Sequence, residues 1–123
     1  MTNLTEIQSM LKDMFKSHVP PLQVRKDNEN VFEVAGTKKV MQGKRKVDGY
    51  YFGSVVPKPR DIRLYYFPIY THSNEFTWIS DELRKCLKGK SCFHIKTLDD
   101  SLVKDISAMI AKGVELYKKD DLI

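Results

Sequence analysis

The sequence predicts an α+β fold: a single domain over residues 1–123, with a mainly antiparallel sheet of about five strands packed against N- and C-terminal helices. Three observations carry this reading. Apolar residues recur at helical spacing at both ends of the chain. Between the ends lie two strand–turn–strand patterns, rich in β-branched and aromatic residues. A short helical stretch and one more alternating segment precede the last helix, so strands in series come before helices in series.

Leu4, Ile7, Leu11, Met14 and Phe15 predict a helix over 3–17, capped by Asn3 with Glu6 three residues on. Pro20 and Pro21 forbid its continuation. Residues 22–27 and 31–34 alternate apolar and polar around the turn-rich Asp27-Asn28-Glu29-Asn30, which reads as a hairpin. Gly36 ends or bulges its second strand. "KKVMQGKRKVDG" (38–49) holds five lysines or arginines and two glycines without a sustained period, and reads as an exposed loop or a ragged edge strand. "YYFGSVV" (50–56) and "IRLYYFPIY" (62–70) read as strands around the turn "PKPRD". Strict alternation puts Tyr51 and Val55 on one face of the first, and Tyr50 and Phe52 on the other. Both faces are then apolar, and both need cover: helices on one, and a loop, a pocket or a second copy of the chain on the other. A homodimer is one expectation from this. An irregular turn is expected at 73–78, then a helix over 80–88 with Ser80 as N-cap and Gly89 at C′. "SCFHI" (91–95) alternates as a strand. Asp99 or Asp100 caps a last helix whose buried face is Leu102, Ile106, Met109, Ile110, Gly113 and Tyr117, with Lys118 and Lys119 at its negative end.

With 41% hydrophobic and 30% charged residues, the chain is globular rather than disordered. Cys86 and Cys92 are too few for a disulfide framework and read as reduced thiols of a cytoplasmic protein. No apolar run approaches the roughly 20 residues of a membrane span, so no membrane partner is expected. The opening "MTNLTEIQSMLKDMF" lacks the basic start and apolar stretch of a signal peptide. A net charge of +5 favours anionic partners.

No P-loop, dinucleotide-binding glycine fingerprint, HExxH or GxSxG is present. In "LKGKSCFHIK" (87–96), Lys88 and Lys90 can hold an anion, or can be solvated lysines flanking a helix end. His94 shares a strand face with Cys92, but the spacing of Cys86, Cys92, His94 and His72 matches no zinc arrangement. Cys–His catalysis needs a third, orienting group that the spacing does not show. Arg63, Tyr65, Tyr66, His94 and Lys96 interleave aromatic and basic residues as RNA-binding sheets do, yet the RNP-type sequence is absent, and core and rim packing explains the tyrosines. Asp99, Asp100 and Asp105 cluster at the start of the last helix, where oxygen ligands for iron or magnesium would sit; capping explains Asp99 equally well.

"PPLQVR" (20–25), "GYYFG" (49–53), "YYFPIYTH" (65–72), "LKGKSCFHIK" (87–96) and "MIAKGVELYKK" (109–119) together resemble the YdhG-like bacterial family of unknown function, in the family's order and over nearly the whole chain. "PIYTH" and "LKGKSCFH" are the most specific of these. The resemblance implies a sheet backed by terminal helices and a small non-enzymatic domain. The label of frataxin-like iron chaperone that some members carry implies iron handling.

The expectation is therefore a non-catalytic domain that binds a small anionic or metal-bearing ligand beside residues 87–96. Lys88 and Lys90 would supply charge, and Tyr70, His72 and His94 would orient the ligand. Two alternatives stand beside it. One is an iron chaperone using Asp99, Asp100 and Asp105; the other is a nucleic-acid or acidic-protein module using the basic run 38–46. A nucleic acid ranks low among the partners.

Overall fold

The computed structural model describes residues 2–123. Helix α1 (Leu4–Lys16) begins at Asn3, whose side chain accepts the Glu6 N–H at 3.0 Å, and it buries Ile7, Leu11 and Phe15. Strands β1 (Gln23–Asp27) and β2 (Phe32–Ala35) form the first hairpin. The Asn28 side chain closes its turn by accepting the N–H groups of Asn30 and Val31.

Residues 38–49 are neither a loop nor an edge of the main sheet. They build a separate two-stranded ribbon of β3 (Val40–Gln42) and β4 (Arg45–Val47). Gly43 and Lys44 connect the strands, with Gly43 at φ +64°, the left-handed conformation a tight hairpin loop needs. Three residues per strand are too few to display a period, which is why the sequence pattern does not reveal them.

Strands β5 (Tyr51–Pro57) and β6 (Ile62–Tyr66) pair as expected. The second is shorter than 62–70, because Pro68 cannot donate to a ladder and instead opens the one-turn helix α2 (Pro68–Thr71). A 3₁₀ turn (Ser73–Phe76) leads to α3 (Asp81–Cys86), and the Ser80 hydroxyl accepts the Leu83 N–H at 3.1 Å. This helix is shorter than 80–88: Leu87 is already extended and bridges to Phe93. Gly89 is therefore not C′ of the helix; at φ +97° it makes the turn into β7 (Cys92–Ile95). Asp99 caps α4 (Asp100–Lys119), whose buried residues include all six expected.

The five-stranded sheet has the order β1-β2-β5-β6-β7, antiparallel throughout. Its inner face presents Phe32, Val34, Phe52, Val55, Ile62, Leu64, Tyr66, Phe93 and Ile95, all buried against the helices. Phe15 of α1 meets Phe32 and Phe52; Tyr117 of α4 packs edge-on against Phe52.

Two β-bulges change which side chains face out. Between β2 and β5 the register passes from Val34↔Gly53 to Ala35↔Tyr51, so Phe52 is an extra residue. Phe52 and Gly53 both point inward, and the strand changes phase there. Val55 faces the core, while Tyr51 and Ser54 lie together on the outer face, hydroxyl to hydroxyl at 2.7 Å. The expected pairing of Tyr51 with Val55 on one face is thus overturned. Between β1 and β2 the register skips Arg25, which sets Arg25 and Lys26 side by side.

After α4 the chain turns at Asp120 and runs back to the ribbon's base. Thr37 and Lys38 donate their N–H groups to the Leu122 carbonyl at 3.0 and 3.3 Å.

Candidate functional site

The ribbon arches over the outer face of the sheet. Val40, Gln42, Arg45 and Val47 share one side of it; Met41 and Lys46 share the other, with Met41 57% exposed. Gln42 anchors the inner side by accepting the Tyr51 N–H at 3.2 Å. Gln23 fastens both ends of the ribbon, donating to the carbonyls of Gly36 at 2.7 Å and Asp48 at 3.0 Å.

Between ribbon and sheet lies a cleft of about 570 Å³ lined by Arg25, Lys26, Glu33, Gln42, Arg45, Val47 and Tyr51. The two bulges furnish it. One brings consecutive cations, Arg25 and Lys26, to the same wall; the other turns Tyr51 outward to line it. Arg25 is held in place by the Gly49 carbonyl at 3.2 Å and by Glu33 at 3.5 Å. Arg45 enters from the ribbon with no carboxylate within ion-pair distance among the described residues. Three cations thus meet one carboxylate, which already faces Arg25, and two of the cations are planar guanidinium forks suited to phosphate or carboxylate. Burial pushes the Tyr51 hydroxyl up to about 12, so it stays neutral and adds no negative charge.

The residues expected to form a site do not converge on one place. Lys88 and His94 line a second cleft, of about 340 Å³, with Asp61, Glu82, Lys85, Cys86 and Lys96 among its walls. His94 Nδ1 lies 3.6 Å from Asp61, which is engaged more closely by Arg63 at 2.7 Å. Burial pushes the Cys86 thiol up, as does nearby Glu82, so it is a poor nucleophile. Lys90 sits over the Tyr70 ring, 5.3 Å from its centre, and lines neither cleft. His72 is a fastening for the chain beyond α4: its ring nitrogens meet Thr71 and Asp120, each at 2.7 Å.

Two of the three carboxylates expected for iron accept hydrogen bonds from nearby groups. Asp99 Oδ1 accepts the Leu102 N–H at 2.8 Å, and Asp105 Oδ2 accepts both the N–H and the hydroxyl of Ser80, at 2.9 and 2.6 Å. Asp100 is exposed in the first turn of α4. Among the described residues, no three His, Cys, Asp or Glu side chains are grouped to hold a metal ion.

Arg25 was missed as a site residue because a bulge is invisible in a composition count. Its one signal is two adjacent cations, Arg25 and Lys26, where an alternating strand should place only one on each face. No helix of the described residues is long and apolar enough to cross a membrane. No family model, curated protein or solved structure matches the chain.

Proposed function

We propose that the protein is a binding domain for a phosphate- or carboxylate-bearing ligand, which it holds in the cleft between the β3–β4 ribbon and the sheet. The observation that carries this reading is the convergence of Arg25, Lys26 and Arg45 on one cavity that contains a single carboxylate. The anionic ligand expected from the charge balance is kept; its place moves from residues 87–96 to this cleft. Arg25 is the pre-positioned fork, and Arg45 the one without a carboxylate partner. Tyr51 offers a neutral ring to the ligand's body. We also carry the YdhG-like assignment, on the quoted motifs alone. Its iron label gains no support from Asp99, Asp100 or Asp105.

Isothermal titration with pyrophosphate and a nucleoside monophosphate at low salt tests the reading. Binding is expected, and Arg45→Ala should weaken it about tenfold or more, the worth of a charge-assisted hydrogen bond. Arg45 is exposed, so the variant should melt like the parent. Binding that survives Arg45→Ala but vanishes in Lys88→Ala/His94→Ala would return the site to residues 87–96. No binding of either probe would end the proposal.

A further inference from the structure

We propose that the ligand of this cleft is the backbone of a single-stranded nucleic acid; the inference rests on the anion-binding reading above and supplies its partner. The cleft's cations do not stop at its walls. Lys38, Lys39, Lys44 and Lys46 are all exposed in or next to the ribbon whose Arg45 lines the cleft. Among the described residues, the one ion pair these ribbon lysines make is Lys38 with Asp121, at 3.9 Å. Asp48 lies at the ribbon's foot and Glu33 in the cleft.

A small anion seated in the cleft would leave Lys39 and Lys44 unused. A polyanion that enters the cleft and extends beyond it along the ribbon can also reach Lys39 or Lys44, and releases a counterion for each phosphate neutralised. The cavity, about 570 Å³, has room for a nucleotide unit but not for a duplex. Tyr51 in its wall is an aromatic side chain of the kind on which single-stranded binders stack a base. Unlike sheets that read RNA on an open face, this sheet carries its own roof. The bases would lie between ribbon and sheet, with the lysines tracking phosphates outside.

Fluorescence anisotropy with a labelled short oligouridylate, across a salt series, tests the inference. Affinity should fall steeply as salt rises. Lys39→Ala/Lys44→Ala removes two exposed side chains that line neither cleft. It should lower oligonucleotide affinity several-fold and flatten the salt slope by about two contacts, while nucleoside monophosphate binding stays unchanged. Arg45→Ala should weaken both ligands. Monophosphate binding with an unchanged salt slope in the double variant, or oligonucleotide binding no tighter than the monophosphate's, would overturn the inference and leave the anion cleft standing. Equal affinity for polyglutamate would transfer the surface to an acidic protein, and tighter binding to duplex would exclude the single strand. If neither monophosphate nor oligonucleotide binds, both readings fall.

Discussion

Tyr66 and Gly113 show how much depends on single atoms. The Tyr66 hydroxyl is fully buried and donates to the Met109 carbonyl inside α4. It fits there because Gly113 has no side chain; a Cβ at that position would collide with the hydroxyl. Gly113→Ala improves helix propensity by about 1 kcal/mol, yet it should destabilise the protein by roughly 1–3 kcal/mol net, because overpacking wins. In a Tyr66→Phe background the cost should shrink. Urea denaturation of the three variants and the parent measures this, and equal costs in both backgrounds would contradict it. Gly113 was legible as a buried helix position and Tyr66 as a strand residue. Their meeting was not, because nothing in a periodic pattern specifies which residues of distant elements touch. The partner of Asp105 was hidden at this same scale: no pattern near a helix start says that its carboxylate accepts from Ser80.

Ser80 and Asp105 also hold two elements together. The Ser80 hydroxyl caps α3 while donating to Asp105 of α4, so one side chain fixes the start of one helix against the side of another. Ser80→Ala should cost about 1–2 kcal/mol, from the lost cap and the carboxylate left short of a donor. Asp105→Ala should cost a similar amount, and the double variant clearly less than the two added together. Strict additivity in a denaturant-based cycle would mean that the two contacts are independent. Among the elements, helices were the most legible, since long periodic stretches with capping residues leave little choice. The β3–β4 ribbon was opaque because its strands are short. The bulges at Arg25 and Phe52 were opaque because one extra residue in a strand of five or seven looks like noise in the alternation. The candidate cleft depends on these three features, so the fold class could be read from the chain while the cleft could not.

For the molecule as a whole, the buried tyrosines set an alkaline limit. Burial raises Tyr66 and Tyr117 well above the ordinary value of 10.0 and lifts Tyr51 to about 12. The folded protein therefore keeps protons that the unfolded chain releases above pH 10. Stability is unaffected by these groups below that pH and falls as pH rises through and beyond it, by roughly 1 kcal/mol per pH unit for each of Tyr66 and Tyr117. Unfolding free energies measured from pH 9 to 12 should bend downward near 10; a level profile would show that the hydroxyls ionise in place. Strands apolar on both faces called for cover on the outer face, by a loop, a pocket or a second copy of the chain. The outer face beside Tyr51 is covered by the chain's own ribbon. The strap from Asp120 to Leu122 that clamps Thr37 and Lys38 has a consequence in time. On a ribosome, the ribbon emerges early and its clamp only after α4 is made. Gln23 and Gln42 can hold the ribbon before then, but its last fastening waits for nearly all of the described chain. The packing of α4 onto the core and the last fastening of the ribbon therefore come together, late in the life of each newly made chain.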